Sequence, residues 1–324
     1  MRAPAFWQSD GALARALSPL AWSYGALARA HARSARPKRA PVPVVCVGNL
    51  TAGGAGKTPV TLSLARRLAA RGVHAHVVSR GYGGRAKGPL RVDASAHDAA
   101  RVGDEPLLLA RAAPTWVARD RAAGAFAAQA AGADAVLLDD GHQNRSLVKD
   151  LSLVVVDGAF GFGNGRLLPA GPLREPVACG LARADAAVLM GEARAGVRAL
   201  LPPGLEVLDA RLVPAAGAEE VRGRAAVAFA GIGRPEKFFD TLESLPCELL
   251  GRHPFADHHR YAAHEVLVLA DKAAKLDAVL VTTAKDFVRL PAEIRPLVAV
   301  LEVEVEWAEV ERLDRLLDGV LAHG

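Results

Sequence analysis

Residues 48–59 read GNLTAGGAGKTP and follow directly on the apolar run PVPVVCV. The apolar run has the length and β-branching of a short buried strand, and TLSLARRLAARG after it has the spacing of an amphipathic helix ending at Gly72. A glycine-rich turn between strand and helix, closed by Lys57-Thr58, is the arrangement of a phosphate-binding loop. Gly53, Gly54 and Gly56 let the backbone curl with its N–H groups inward at a helix N-terminus. The expected nucleotide-binding set is therefore Thr51, Ala52, Gly53, Gly54, Ala55, Gly56, Lys57 and Thr58. Lys57 would reach the β- and γ-phosphates, and the Thr58 hydroxyl would hold Mg²⁺. Pro59 falls in the first helical turn, where no intrahelical N–H bond is lost. The general pattern G-x-x-x-x-G-K-[ST] calls for glycine where Thr51 stands; the second glycine of the GG pair is expected to supply the missing freedom. A plain flexible turn is the competing reading, and the Lys-Thr pair argues against it.

Outward from the loop, the pattern repeats. VHAHVVSRGYGG is a strand running into glycines, RVGDEPLLLARAA a helix, PTWVARDR a short strand and AAGAFAAQAAGA a helix. ADAVLLDDG and LSLVVVDGAFG are strands with acids or glycines at their C-terminal ends. Strands alternating with helices of this length predict a doubly wound parallel sheet, with ligands beyond the carboxyl ends of the strands. Around residues 200–225 the chain turns rich in Pro, Gly and Ala. A second strand–helix series then runs from AAVAFAGIG to the closing helix WAEVERLDRLLDGVLAHG. The expected organisation is an arm over 1–40, a P-loop domain over 41–205, and a smaller C-terminal α/β domain over 206–324, with linker strands near 206–225.

The chain has 324 residues, 51% of them hydrophobic and 23% charged, as a globular enzyme of two domains requires. Three scattered cysteines, Cys46, Cys179 and Cys247, fit neither a disulfide framework nor a four-cysteine zinc site, and point to a reducing compartment. Of the net charge of +5, residues 1–40 carry about +6 (seven bases, Arg2 among them, against Asp10), so the body is close to neutral. A body-wide nucleic-acid surface is disfavoured, and no obligate protein partner is evident. Thirteen uncharged residues separate Arg15 from Arg29, including Leu17, Leu20, Trp22, Tyr24 and Leu27. As a helix they rise about 20 Å, short of a bilayer core of roughly 30 Å. Bases on both sides of the apolar segment do not match a cleaved signal peptide. A helix lying in the interface, with Trp22 and Tyr24 near the headgroups and arginines on anionic lipid, is one reading. The other is an amphipathic helix packed on its own domain and bent at Pro19.

Asp139 and Asp140 end the run AVLLDD, where a nucleotide site places its magnesium-binding acid. Asp104 and Glu105 stand at a helix start, either as caps or as working acids. HPFADHHRY and AAHE bring His253, His258, His259 and His264 near Asp257. The spacing matches no metal motif, and a general base oriented by a carboxylate suits it better. FGFGNG offers Phe160 and Phe162 on a flexible loop, either to acyl chains or as one core and one turn residue. A P-loop switch ATPase or GTPase is the rival class; it would need no acceptor base.

Seven segments in order, GNLTAGGAGKTPV, SRGYGG, VGDEPLLLA, LLDDGHQNRSL, VVVDGAFGFGNGRLLPAGPLREP, FADHHRY and VTTAKDFVRLP, resemble the tetraacyldisaccharide 4′-kinases, the lipid A 4′-kinases of Gram-negative bacteria. The resemblance runs from the arm to about residue 290. It implies transfer of the ATP γ-phosphate to the 4′-hydroxyl of a tetraacylated glucosamine disaccharide 1-phosphate, at the cytoplasmic face of the inner membrane, by a peripheral or monotopic enzyme. By motif position, Lys57 and Thr58 are implied as nucleotide and magnesium ligands and Asp139 and Asp140 as acids near Mg²⁺. Asp104 and His258 match the family's Asp–His dyad, and Glu105, Arg121 and Glu175 match polar positions of its cleft. The Thr-x-Gly-Gly form of the loop, with Thr51, is usual there. The departure is DDGHQN: His142 and Asn144 stand where the family often has an aromatic or Leu and then His.

Overall fold

The computed structural model describes residues 4–215 and 217–322; Arg2 of the arm lies outside the described residues. Two sheets organise the chain. The larger contains β1 (Val44–Gly48), β2 (Ala75–Ser79), β3 (Leu90–Arg91), β4 (Thr115–Val117), β5 (Ala135–Asp139), β6 (Leu151–Asp157), β7 (Ala186–Met190) and β8 (Glu206–Pro214). The smaller contains β9 (Ala225–Ala230), β10 (Glu248–Pro254), β11 (Ala278–Thr283) and β12 (Ala299–Leu301), and β13 (Val303–Trp307) returns to the larger.

The large sheet has the order β13-β8-β7-β6-β1-β5-β2-β4-β3. Its pairs are parallel except β3 on β4 and β13 on β8, which close the two edges antiparallel. Period-two alternation sorts the side chains. Val45 and Val47 of β1, Leu137 of β5 and Leu153 of β6 fill one face with Leu64 and Leu68 of the helix Lys57–Ala70. Val44 and Cys46, with Val136 and Leu138, fill the opposite face against the helix Arg121–Ala130. Both faces are covered, so β1, β5, β6 and β7 are buried along their whole lengths. From β1 the chain winds outward to β2, β4 and β3 on one side, and later to β6, β7 and β8 on the other. The switch point therefore lies at the carboxyl end of β1, where such sheets hold ligands.

The small sheet, β10-β9-β11-β12, is all parallel. The strand at 206–214, expected as a linker, is β8 of the large sheet, paired to β7. The C-terminal segment also belongs there. β13 pairs with β8, and Leu313 and Leu317 of the helix Val310–Leu321 are fully buried in the same core as Leu64. The second unit is thus an insertion between β8 and β13. Its entry and exit run side by side, with the Ala215 N–H donating to Glu302 O at 2.9 Å. Linker composition misled the sequence reading because β8 is half-exposed near the sheet edge, where Pro and Gly flanks are tolerated.

The arm folds as two helices, Ala12–Ala16 and Ser18–Ser34, separated at Leu17. Pro19 lies in the first turn of the longer helix and does not bend it. Small residues, Ala14, Ala21 and Gly25, face the body. A Cβ on Gly25 would come within 2.7 Å of Leu167 Cδ1, so a larger residue there would have to displace the tip of that leucine. The loop after β6 grips the arm: Asn164 donates to Phe6 O and Ser9 O, and Arg166 pairs with Asp10 at 2.8 Å.

Candidate active site

The loop after β1 departs from its expected form at both ends. Thr51 is buried and extended, bridged to Leu173, and the Ala52 N–H donates to Pro172 O at 2.7 Å. Thr51 therefore needs no glycine freedom, and the Ala52 amide expected on a phosphate is already spent on the chain. Positive φ falls on Gly53 (123°) and Gly56 (93°), not on Gly54. The N–H groups of Gly53, Gly54, Ala55 and Gly56 have no acceptor among the described residues, and space is open beside Gly53 and Gly54. Ala55 packs its methyl into the core and anchors the loop from below.

Asp139 and Asp140, at the tip of β5, receive different surroundings. Asp139 is almost fully buried and accepts from Thr61 Oγ1 and Ser79 Oγ, both at 3.2 Å. Burial, with the charges of Glu105 and Asp140, pushes its carboxyl up to about 7 against the pull of Lys57. Asp140 has φ 48° and turns toward Lys57 Nζ at 3.7 Å, while Arg174 Nη1 donates to both its oxygens at 2.9 and 3.0 Å. Burial would raise its carboxyl, but Lys57 and Arg174 prevail and lower it. Arg121 is buried beside this pair. Its Nη1 donates to Ala118 O at 2.7 Å, its Nε has no partner among the described residues, and burial lowers its pKa against the pull of Asp139 and Asp140. Glu175 stands a step away, held by both nitrogen-bound contacts of Arg183 Nη2 at 2.8 Å and by Gln143 Nε2 at 3.1 Å.

A second group of side chains meets Asp104 from the small sheet. Asp104 starts the helix Asp104–Leu109, whose N-cap is Gly103, and makes no cap of its own. His258 Nδ1–H donates instead to Asp104 Oδ2 at 3.0 Å, 154 residues away in sequence. Burial would raise the Asp104 carboxyl, but the His258 hydrogen bond and the charges of Lys285 and Arg289 hold it down at about 2. With Nδ1 committed, His258 Nε2 is the nitrogen free to accept a proton. His258 itself has φ 58°, its N–H bonded to Gly231 O, and its ring lies 5.6 Å from the Tyr82 ring. Glu105 pairs with Lys285 Nζ at 3.0 Å.

Three other histidines are accounted for otherwise. His259 Nε2 donates to Glu265 at 3.0 Å, and His253 sits 3.2 Å from Lys272 Nζ. His142 is buried in the large unit: its Nε2–H donates to Gly180 O at 2.9 Å and its Nδ1 accepts from Ser152 Oγ at 3.0 Å. It serves packing beneath the site, and Asn144 caps a turn through Ser146. Phe162 is a core residue, and Phe160 lies part-buried under the Arg234 guanidinium. The sequence reading missed Arg174, Thr61, Ser79, Lys285 and Arg289. The segments LREP and TTAKDFVRLP had carried the family resemblance, which was the available signal for Arg174, Lys285 and Arg289.

A phosphate loop at the switch point of a parallel sheet defines a P-loop nucleotide enzyme, and a carboxylate-oriented imidazole beside it suits a phosphotransferase with a hydroxyl acceptor rather than a switch. Comparison with known proteins agrees. A family model described as tetraacyldisaccharide-1-P 4′-kinase matches residues 13–322. The tetraacyldisaccharide 4′-kinase of Rhodospirillum centenum is 57% identical over 99% of this chain and 97% of its own length, and that of Rhodospirillum rubrum 55% identical over 99% and 98%. A crystal structure of the "apo" form of LpxK from Aquifex aeolicus in complex with ATP superposes with a TM-score of 0.77, at 26% identity, covering 95% of this chain and 99% of that one. The chain belongs to the tetraacyldisaccharide-1-P 4′-kinase family and is a kinase.

Proposed function

We propose that the chain transfers the γ-phosphoryl group of ATP to the 4′-hydroxyl of a tetraacylated glucosamine disaccharide 1-phosphate, with Lys57, Asp104 and His258 as its working side chains. The observation that carries this reading is the Asp104–His258 hydrogen bond, formed between the two units, with the neighbouring Glu105 close enough for its charge to act on Asp139. His258 Nε2 takes the hydroxyl proton as the sugar oxygen bonds to the γ-phosphorus, and the bond from that phosphorus to the ADP oxygen breaks. Asp104 stays anionic, fixes the ring tautomer and stabilises the imidazolium. Free amides of residues 53–56 and the Lys57 ammonium receive the phosphate oxygens. Arg121, with its unpartnered Nε, and Glu105 and Glu175 line the cleft as further polar contacts.

The donor set suits Mg²⁺: a buried carboxyl at Asp139, oriented by two hydroxyls, beside Asp140 and Thr58. Thr58, Asp139 and Asp140 would hold the ion, which neutralises charge on the β- and γ-phosphates.

The arm supports work at an anionic membrane surface, which we place at the cytoplasmic face of the inner membrane. Trp22 is 78% and Leu27 72% exposed, with Leu13 and Leu20 also exposed and Arg15, Arg29 and Arg33 on the same helices, whereas Tyr24 is half-buried. No described helix is long and apolar enough to cross a membrane. The decisive assay follows label from γ-labelled ATP into tetraacyldisaccharide 1-phosphate in detergent micelles, with Lys57→Ala as the control. Transfer should be magnesium-dependent and lost in the variant; near-normal transfer by Lys57→Ala would reject the loop assignment.

A further inference from the structure

We propose that Arg289 is a positioning residue for phosphoryl transfer: its guanidinium, locked by Asp286, holds the Asp104 carboxylate against His258 and tempers the field that the imidazole feels. The inference rests on the reading of Asp104 and His258 as the base pair.

The geometry begins at Asp286, which is completely buried. Its Oδ1 accepts from Gly231 N at 2.8 Å, Tyr261 OH at 2.7 Å and Arg289 Nη2 at 2.8 Å, and its Oδ2 accepts from Thr283 Oγ1 at 2.6 Å. Thr283 in turn caps the short helix Ala284–Phe287, with the Asp286 N–H donating to Thr283 Oγ1 at 3.0 Å. A carboxylate with four donors is fixed in place, and it fixes the guanidinium. Arg289, itself buried, spends its remaining donors on backbone. Nη1 and Nη2 reach Gly231 O at 3.1 and 3.0 Å, Nη1 reaches His259 O at 3.2 Å, and Nε reaches Lys285 O at 3.1 Å. Gly231 O and His259 O flank His258, whose own N–H is bonded to Gly231 O.

The edge of this clamped group faces Asp104. Arg289 Nε lies 3.6 Å from Asp104 Oδ2, the same oxygen that accepts from His258 Nδ1. Arg289 therefore touches the backbone at Gly231 and His259 and the carboxylate that orients the imidazole. Two consequences follow. The imidazole is aimed by a rigid frame from the small sheet, and its carboxylate partner is partly neutralised by a neighbouring cation. The groups facing His258 are Asp104 from the large unit, Asp257 at 3.8 Å from its own loop and Tyr82 from the loop after β2, and Lys285 and Arg289 from the segment after β11 lie against Asp104 at 4.0 and 3.6 Å. Losing the Arg289 cation strengthens the hold of Asp104 and Asp257 on the imidazole proton. The acidic limb of the kcat/KM profile then moves to higher pH.

The test is steady-state kinetics on full-length Arg289→Met, Arg289→Lys and His258→Ala, with ATP and the disaccharide acceptor in micelles. Asp286 keeps three donors when Arg289 is removed, so the variant is expected to fold. Arg289→Met should lower kcat by about 10–100-fold, the scale of a misplaced catalytic group. The KM for ATP should stay within about threefold, and the acidic limb should rise by about half a pH unit or more. Arg289→Lys should return the limb to its wild-type position while recovering only part of kcat. Undiminished kcat in Arg289→Met overturns the proposal. So does a loss of kcat with an unmoved limb and a KM for ATP that rises in step, the mark of general structural damage. If Arg289→Met does not accumulate as folded protein, Arg289→Lys decides: about a tenfold lower kcat with the limb in place supports the role, and wild-type kcat removes it. Full turnover in His258→Ala would instead overturn the base assignment on which the proposal stands.

Discussion

His142 shows what one side chain can signal and conceal. Its place after Asp139-Asp140-Gly141 invites a catalytic reading, yet its ring lies under β1, so close that a Cβ on Gly48 would come within 2.4 Å of its own. Both ring nitrogens are satisfied by the neutral form. Burial, reinforced by the Arg183 and Lys149 charges against the Gly180 bond, pushes its pKa down to about 4. The unfolded chain, with an ordinary histidine near 6.5, then binds the proton first as pH falls. The stability contribution is complete above about 6.5 and drains away toward 4, by about 3 kcal/mol in all. Urea unfolding at pH 7 and pH 5 should show this loss in the wild type and not in His142→Gln. An equal pH dependence in both would refute the assignment. Residue type and local spacing do not separate this histidine from His258; the family resemblance does, and burial and partner give the physical reason.

At the scale of elements, the helix Val310–Leu321 ties the end of the chain to the helix that begins at Lys57. Arg67 pairs with Asp314 and Arg71 with Asp318, and Trp307 Nε1 donates to Ser63 Oγ at 2.9 Å. These ion pairs are largely exposed and contribute little individually. Leu313 and Leu317, fully buried, carry the attachment. Leu313→Ala should destabilise by about 2–5 kcal/mol. The loss should appear as a lower midpoint for the transition of the large unit, and bound nucleotide should raise that midpoint in parent and variant alike. A variant whose loss was confined to the small unit would contradict this packing. The helix itself was legible from its apolar spacing. Its address was not, since nothing in WAEVERLDRLLDGVL states which of two parallel sheets it covers.

On the proposed function the whole molecule joins three jobs: a phosphate loop on one sheet, a proton acceptor on another, and an arm with its large apolar side chains turned outward. Asp157 of β6 bridges the units with Arg234 at 2.6 Å and Lys237 at 2.5 Å, alongside the Asp104–His258 and Glu105–Lys285 contacts. The arm's helix buries only alanine and glycine, so Trp22 and Leu27 can be changed without loss of packing. Trp22→Ser with Leu27→Ser should reduce binding to anionic vesicles by about tenfold or more, at 25 cal/mol per Å² of apolar surface withdrawn, and leave thermal stability in place. Unchanged co-sedimentation with vesicles would remove the arm from membrane binding.

By itself the sequence determined the alternation of strands and helices, the phosphate loop and the acids at strand tips. These depend on local periodicity and on short segments whose chemistry is contained in a few neighbouring residues. The clamp of Asp286 and Arg289 behind His258 and the return of β13 to the first sheet were decided by tertiary structure alone, and the Asp104–His258 pair, implied by the family resemblance, took its geometry there. Each depends on residues far apart in the chain, the clamp because Gly231, Tyr261 and Asp104 close around the local Asp286–Arg289 pair, and the free energy that selects them comes from burial, strand pairing and charge pairing that only the folded molecule brings together.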